Sequence, residues 1–214
     1  GGLPALQLLT QSQDVEVNRQ AAAALRDMSS NTQFKTVLAE EGALLRAIQI
    51  ARDADLQLRI LATGALRHLS IHSRVKRTMV ELGVLGPLFA GIEDEAQDID
   101  LLRQCAATLG NLAENGENQV TLIRDGVLPR LVHLSNIDHL EVHADVSKAF
   151  ASLSANPENQ IGVFGAVEVK TILALAMKPE ESCRRDALVS IGNLAIVAKN
   201  QLMIAKLGGL AVIC

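Results

Sequence analysis

The chain has 214 residues, 49% of them hydrophobic, with no Trp, no Tyr and four Phe, so its core is built from Ala, Leu, Ile and Val and suits closely packed helices. Its formal net charge of −4, with both signs intermixed, argues against the basic face of a general nucleic-acid binder. No apolar run reaches the ~18 residues of a membrane-spanning helix, and no signal peptide or lipidation motif is visible.

The predicted elements repeat along the chain. Residues 1–30 read as a partial unit: "GGLPAL" opens a helix after Gly1, and a longer helix carries "ALRDMS", whose fourth residue is Asp27. Residues 31–71 read as a full unit: a short helix runs into Gly42, a second begins at "GALL", and a longer third carries "ALRHLS" with His68. Residues 72–114 run through "ELGVLG" at Gly83 to "TLGNLA" at Asn111. Residues 115–154 run through "RDGVLP", with Gly126 and Pro129, to "AFASLS" at Ser152. In "GGLPAL" and "GVLPRL" the prolines Pro4 and Pro129 fall in the first turn of a helix, where a missing N–H costs nothing. Residues 155–196 run through "VFGAVE" at Gly165 to "SIGNLA" at Asn193. That unit is irregular, because six residues separate Asn159 from Gly165 where eight separate Asn118 from Gly126, so its first helix is expected to lose about half a turn. Residues 197–214 are a final partial unit, with Gly208 and a helix beginning in "GGLAVIC". With Gly rather than Met in first place, the chain reads as an excerpt of a longer protein.

Two landmarks keep one period. The glycines at 1, 42, 83, 126, 165 and 208 are spaced 41, 41, 43, 39 and 43, and the phrase residues Asp27, His68, Asn111, Ser152 and Asn193 are spaced 41, 43, 41 and 41. Two before each phrase residue stand Leu25, Leu66, Leu109, Phe150 and Ile191, and one after it Met28, Leu69, Leu112, Leu153 and Leu194. These lie three apart, on one helix face. Three before it stand the small residues Ala24, Ala65, Thr108, Ala149 and Ser190, which let helices approach closely. Four before each interior glycine the residue is apolar: Leu38, Met79, Leu122, Ile161 and Ile204. Each unit thus reads as three helices, with the glycine permitting a sharp turn between the first two. A unit of this size cannot bury its apolar face alone, so neighbouring units stack into a solenoid.

A three-helix repeat with "GxLPxL", "ALxNL" and "ENQ" phrases resembles the armadillo repeat, over essentially the whole length. The resemblance implies an all-α fold, a right-handed superhelix of stacked three-helix repeats forming a single array over 1–214. It also implies binding: third helices line a groove, an extended partner segment lies along it, and asparagines hold its backbone amides, since a carboxamide both donates and accepts. That ladder position is here Asp27, His68, Asn111, Ser152 and Asn193. Four residues earlier, importin-α-like receptors carry tryptophan; here stand Ala23, Gly64, Ala107, Lys148 and Val189, with no aromatic ring for a lysine stem. The resemblance therefore leans to scaffold-type members, β-catenin-like or vacuolar-membrane scaffolds, and away from an import receptor.

Eight before the ladder come Arg19, Ile60, Arg103, Ala144 and Arg185, with Arg26 and Arg67 just before it. Arg103 with Asn111, and Arg185 with Asn193, would form a basic, amide-bearing strip suited to extended protein segments with acidic side chains. The alternative is that these arginines pair with acids of the adjacent repeat. The strip is read as Arg19, His68, Arg103, Asn111, Lys148, Ser152, Arg185 and Asn193. Removing Asn111 and Asn193 is expected to weaken partner binding with stability nearly unchanged.

The acidic run "EDEAQDID", 93–100, reads as a solvated loop favouring the next helix's N-terminus. His139 and His143, four apart, are too few for a zinc site. Cys105 sits in an apolar pattern as a small buried hydrophobe. With no nucleophile, phosphate loop or cofactor motif to support an enzyme, the expected role is a non-catalytic cytoplasmic scaffold, an organelle or cytoskeletal adaptor, binding protein and not nucleic acid or a small-molecule substrate. The alternatives are an importin-α-like transport receptor, an axonemal or flagellar assembly component, or an array regulating an attached catalytic domain.

Overall fold

The structure, a computed structural model, describes residues 2–31 and 42–213. Every regular element among them is a helix. In chain order these are α1 (Gly2–Leu9), α2 (Val15–Ser30), α3 (Ala43–Ile50), α4 (Leu56–Ser70), α5 (Ser73–Glu81), α6 (Leu85–Ile92), α7 (Ile99–Ala113), α8 (Gly116–Arg124), α9 (Val127–Ser135), α10 (Leu140–Ala155), α11 (Pro157–Gln160), α12 (Ala166–Leu175), α13 (Glu181–Leu194), α14 (Ala198–Lys206) and α15 (Gly209–Ile213). The chain divides into two compact units, Gly1–Leu112 and Ala113–Cys214.

In the first unit α2 packs along α4, with α1 against α2 and α3 against α4. Leu25, Leu66, Leu109, Leu69 and Leu112 are buried there, and Met28 is half-buried. Gly91 in α6 is a point of close approach: a Cβ on it would lie 3.1 Å from the Cys105 sulfur of α7. In the second unit α10 packs along α13, α12 against α13 and α9 against α12. Phe150, Leu153, Ile191 and Leu194 form that core, with the small residues Ala149 and Ser190 buried between them.

Four of the five long third helices, all but α10, begin on side-chain caps, which satisfy first-turn N–H groups. Asp14 accepts from the N–H of Glu16 and Val17, Asp55 from Leu58, Asp98 from Asp100 and Leu101, and Glu180 from Ser182 and Cys183. Their C-terminal ends explain the "ENQ" phrase. The Gln119 amide donates to the carbonyl of Ala113, Asn159 to Leu153, Gln160 to Ser154, Asn200 to Leu194 and Gln201 to Ala195, each six residues back. In the units that begin at 115, 155 and 197, carboxamides of this phrase thus satisfy carbonyls that the preceding helix leaves without intrahelical donors.

The turn glycines are left-handed at Gly42 (φ 80°), Gly83 (81°), Gly126 (91°) and Gly208 (88°). The repeat over 155–196 departs from expectation. Its left-handed residue is Gly162 (φ 74°), whereas Gly165 is extended. Gly162 ends α11 after four residues, where α5, α8 and α14 each have nine, so more than a turn is lost rather than half of one. The apolar residue moves with it. Ile161, expected in the core, is 72% exposed, and Phe164 is buried in its stead with its ring centroid 6.3 Å from that of Phe150. Met79, Leu122 and Ile204 are buried as the repeat pattern requires, while Leu38 lies outside the described residues.

Leu109 is 1% exposed, so Leu109→Ala is expected to lower the unfolding free energy by about 2–4 kcal/mol, read from the urea midpoint at unchanged slope.

Candidate functional site

The ladder residues sit near the C-terminal ends of the third helices α2, α4, α7, α10 and α13. Asp27 is exposed, His68, Ser152 and Asn193 are half-buried, and Asn111 is 9% exposed. Three of the five reach back to the repeat before. The Asn111 amide nitrogen donates to Ser70 Oγ at 2.9 Å. That of Asn193 donates to Ser154 Oγ at 3.2 Å and to the Ala151 carbonyl at 3.3 Å. His68 does the same with its ring: Nδ1 lies 3.2 Å from Ser29 Oγ and 3.2 Å from the Arg26 carbonyl. Since the Ser29 hydroxyl gives its one proton to the Arg26 carbonyl at 2.6 Å, the proton in the imidazole contact belongs to Nδ1. His68 therefore copies the donor geometry of an asparagine. The position is paired in the sequence too. Ser29, Ser70 and Ser154 stand two after a ladder residue and precede His68, Asn111 and Asn193, whereas Ala113 precedes the short Ser152.

The basic residues already carry carboxylates. Arg19 of α2 grips Asp55, the cap of α4, with Nε and Nη2 at 3.3 and 2.5 Å. Arg59 holds Asp94 at 2.5 Å with both side chains mostly covered. These two pairs join successive repeats. Arg103 instead pairs with Asp100 of its own helix at 3.2 Å, Arg185 with Asp186 at 3.1 Å, Arg26 with Asp27 at 2.7 Å and Lys148 with Glu114 at 2.6 Å. Arg67 Nη1 donates to the side-chain Oε1 of Gln104 at 3.4 Å. At Gly64, where a ladder-flanking side chain would stand, the Arg26 stem lies 3.2 Å from the site of a Cβ. The guanidinium of Arg19 and the Leu58 N–H hold Asp55 below the usual carboxylate range, and the Arg59 guanidinium with the Ala96 N–H does the same for Asp94.

The acidic loop is thereby partly explained: Asp94 ties to Arg59, Asp98 caps α7 and Asp100 meets Arg103. Cys105 and Cys183 are buried free thiols, and burial pushes Cys105 up to about 12, so it is no nucleophile at neutral pH. Cys214 lies outside the described residues. No group of three metal-ligating side chains forms among the described residues, and no helix among them is long and apolar enough to cross a membrane.

No protein-family profile matches the chain. Among characterised proteins it is similar to vacuolar protein 8 of Candida albicans, 26% identical over 194 residues, which is 90% of this chain and 33% of that protein. Vacuolar protein 8 of Schizosaccharomyces pombe is 24% identical over 84% of this chain and 33% of that protein. The chain thus spans about a third of the length of these relatives. Among solved structures, a computationally designed armadillo repeat protein for modular peptide recognition superposes with a TM-score of 0.90 at 23% identity, covering 98% of this chain and 90% of that one. A designed armadillo repeat protein in complex with the peptide (KR)4 gives 0.87 at 21% identity, over 99% of this chain and 90% of that one. The fold is the armadillo-repeat solenoid.

Two measurements probe the strip without a partner. A carboxyl held below its unfolded value of about 3.9 stabilises the fold above that pH, and the contribution is lost as pH falls through the folded value. Asp55→Asn should lower stability at neutral pH and flatten the acid limb of a stability–pH curve below about pH 4 relative to the parent chain. Asn111→Ala should cost about 1 kcal/mol in urea unfolding, because a buried donor to Ser70 is lost, and the half-buried Asn193→Ala should cost less. The expectation that removing both amides leaves stability nearly unchanged took no account of these anchoring bonds.

Proposed function

We propose that this armadillo-repeat array is a non-catalytic scaffold that binds extended protein segments along its third helices. The observation that carries the reading is the anchoring of the ladder. One nitrogen of each of Asn111, Asn193 and His68 is tied to the preceding repeat, which fixes the rest of that side chain. A row of fixed amide groups matches a backbone held straight, as in strand-like peptide recognition. The amide oxygen of Asn193 has no described partner and remains for a peptide N–H. Half-exposed Ser152 and Lys148 continue the strip beside it.

Charge sets the preferred partner. Arg185 is 67% exposed and its pair with Asp186 is water-screened, a class of contact worth about 0–1 kcal/mol. The Arg103–Asp100 pair is likewise open on its acid side, with Asp100 61% exposed. An incoming carboxylate can take over Arg185 at little cost. Arg19 contributes less, since its two-point bond to Asp55 holds neighbouring repeats together. The absence of Trp leaves no cation–π platform, so acidic segments are favoured over the basic peptide of the designed relative. The likeness to vacuolar protein 8 supports a setting on an organelle membrane, reached from the cytoplasmic side.

The test is fluorescence anisotropy with two labelled extended peptides, one of alternating Asp and Ser and one of sequence (KR)4. The acidic peptide should bind, and Asn193→Ala with Arg185→Ala should weaken it by about tenfold or more, the loss of one charge-assisted and one neutral hydrogen bond. Tighter binding of (KR)4, or acidic binding unmoved by the two substitutions, would overturn the reading.

A further inference from the structure

The shortened helix α11 leaves a space beside α14. With four residues against nine in α8 and in α14, it omits about 7.5 Å of helix, more than one turn. Phe164 fills part of that space next to Phe150. Beyond it a pocket of about 560 Å³ opens between residues 162–166 and one face of α14. A helical turn 10–12 Å wide and 5.4 Å long takes up about 420–610 Å³, so the pocket has the size of one turn of helix. Its α14 wall is the stripe Lys199, Leu202, Met203 and Lys206, at positions i, i+3, i+4 and i+7. Counted back from the turn glycine, the two middle positions are Arg77 and Thr78 in α5 and Val120 and Thr121 in α8, but Leu202 and Met203 in α14. An adjacent apolar pair thus stands in the helix that faces the gap. Leu202 is 66% exposed, and an apolar stripe left open in this way marks a contact surface. The lining holds no carboxylate, and no Asp or Glu occurs over 187–214. Glu168, close to the wall, is turned onto the Gly165 N–H at 2.8 Å. Lys199 and Lys206 are exposed and form no ion pair among the described residues.

We infer that this pocket receives an acidic amphipathic helix of a partner protein, which supplies the turn that α11 lacks. The incoming helix carries Leu or Ile at i+3 and i+4, against Leu202, Met203 and Phe164, and Asp or Glu at i and i+7, against the two lysines. Residues seven apart on a helix are separated by about 10.5 Å along its axis, which is also the spacing of Lys199 from Lys206 on α14, so a single register satisfies both charges. The apolar pair provides the burial and the lysines select the partner's sign of charge and its register. This is recognition of a helix in a groove, a different mode from the extended segment proposed for the third helices, and it uses no ladder residue.

The experiment follows the methionine methyl signals of the whole chain by NMR, since Met203 is one of only four methionines. Met203→Leu identifies its signal. The probe is a capped Ala/Gln peptide with Glu-x-x-Leu-Leu-x-x-Glu at its centre, and the control carries Lys at both Glu positions. The glutamate peptide should shift the Met203 methyl saturably and the lysine peptide should not. Lys199→Glu with Lys206→Glu should weaken the glutamate peptide by about tenfold or more and make the lysine peptide the better ligand. Leu202→Gln with Met203→Thr, read by anisotropy of the labelled peptide, should abolish binding while leaving the thermal midpoint in place. The chain with Asn193→Ala and Arg185→Ala should bind the helical peptide as the parent does, which separates this site from the ladder. A Met203 signal unmoved by the glutamate peptide, or moved equally by both peptides, would overturn the inference. So would loss of binding with the ladder substitutions, or a Met203 shift that grows with protein concentration alone, which would make a second copy of the chain the occupant.

Discussion

A helical triplet of about forty residues has more apolar surface than it can cover by itself, and nearly everything in this structure follows from that shortage. Each third helix must lie on its neighbour, so it presents Leu or its equivalent at two positions three apart and a small residue beside them. The result is seen in both units, where α2 meets α4 and α10 meets α13 over buried rows such as Leu25–Leu66 and Phe150–Ile191. Polar groups buried at that contact bond within their own helix, as Ser190 to the Asp186 carbonyl, or across to the next repeat, as Ser147 to the Cys183 carbonyl.

The ladder shows how this demand and the proposed recognition share residues. An amide near such a contact loses water on one side and keeps it on the other. Hydrogen bonding its nitrogen to a serine of the preceding repeat satisfies the covered side and leaves the rest of the group oriented. The serine two residues after each anchored partner's predecessor is thus as much a part of the strip as the asparagine. Where the serine is replaced by Ala113, the next ladder residue shrinks to Ser152. The arginines divide on similar grounds. Arg19 and Arg59 bind across repeats and act as structural ties, whereas Arg103 and Arg185 hold acids within their own helices.

The repeat over 155–196 shows how far one unit can deviate and still pack. Loss of more than a turn from α11 would leave a hole at the position of Ile161, and Phe164, a larger side chain arriving from the following turn, occupies the space beside Phe150.

The periodicity of Gly, Leu and Ala by itself determined the helical repeat and most of its core, because backbone turns and apolar burial depend on residue type at fixed spacing. The left-handed glycines at 42, 83, 126 and 208, the buried leucines and the landmark phrase were all legible in this way. What only the tertiary structure decided is which polar atom meets which. Gly162 rather than Gly165 makes the turn of the 155–196 repeat, His68 stands in for an asparagine through Nδ1, and Arg19 is spent on Asp55. These outcomes depend on hydrogen-bond directions and distances of a few tenths of an ångström between residues about forty apart in the chain, and spacing along a single helix carries no information at that scale.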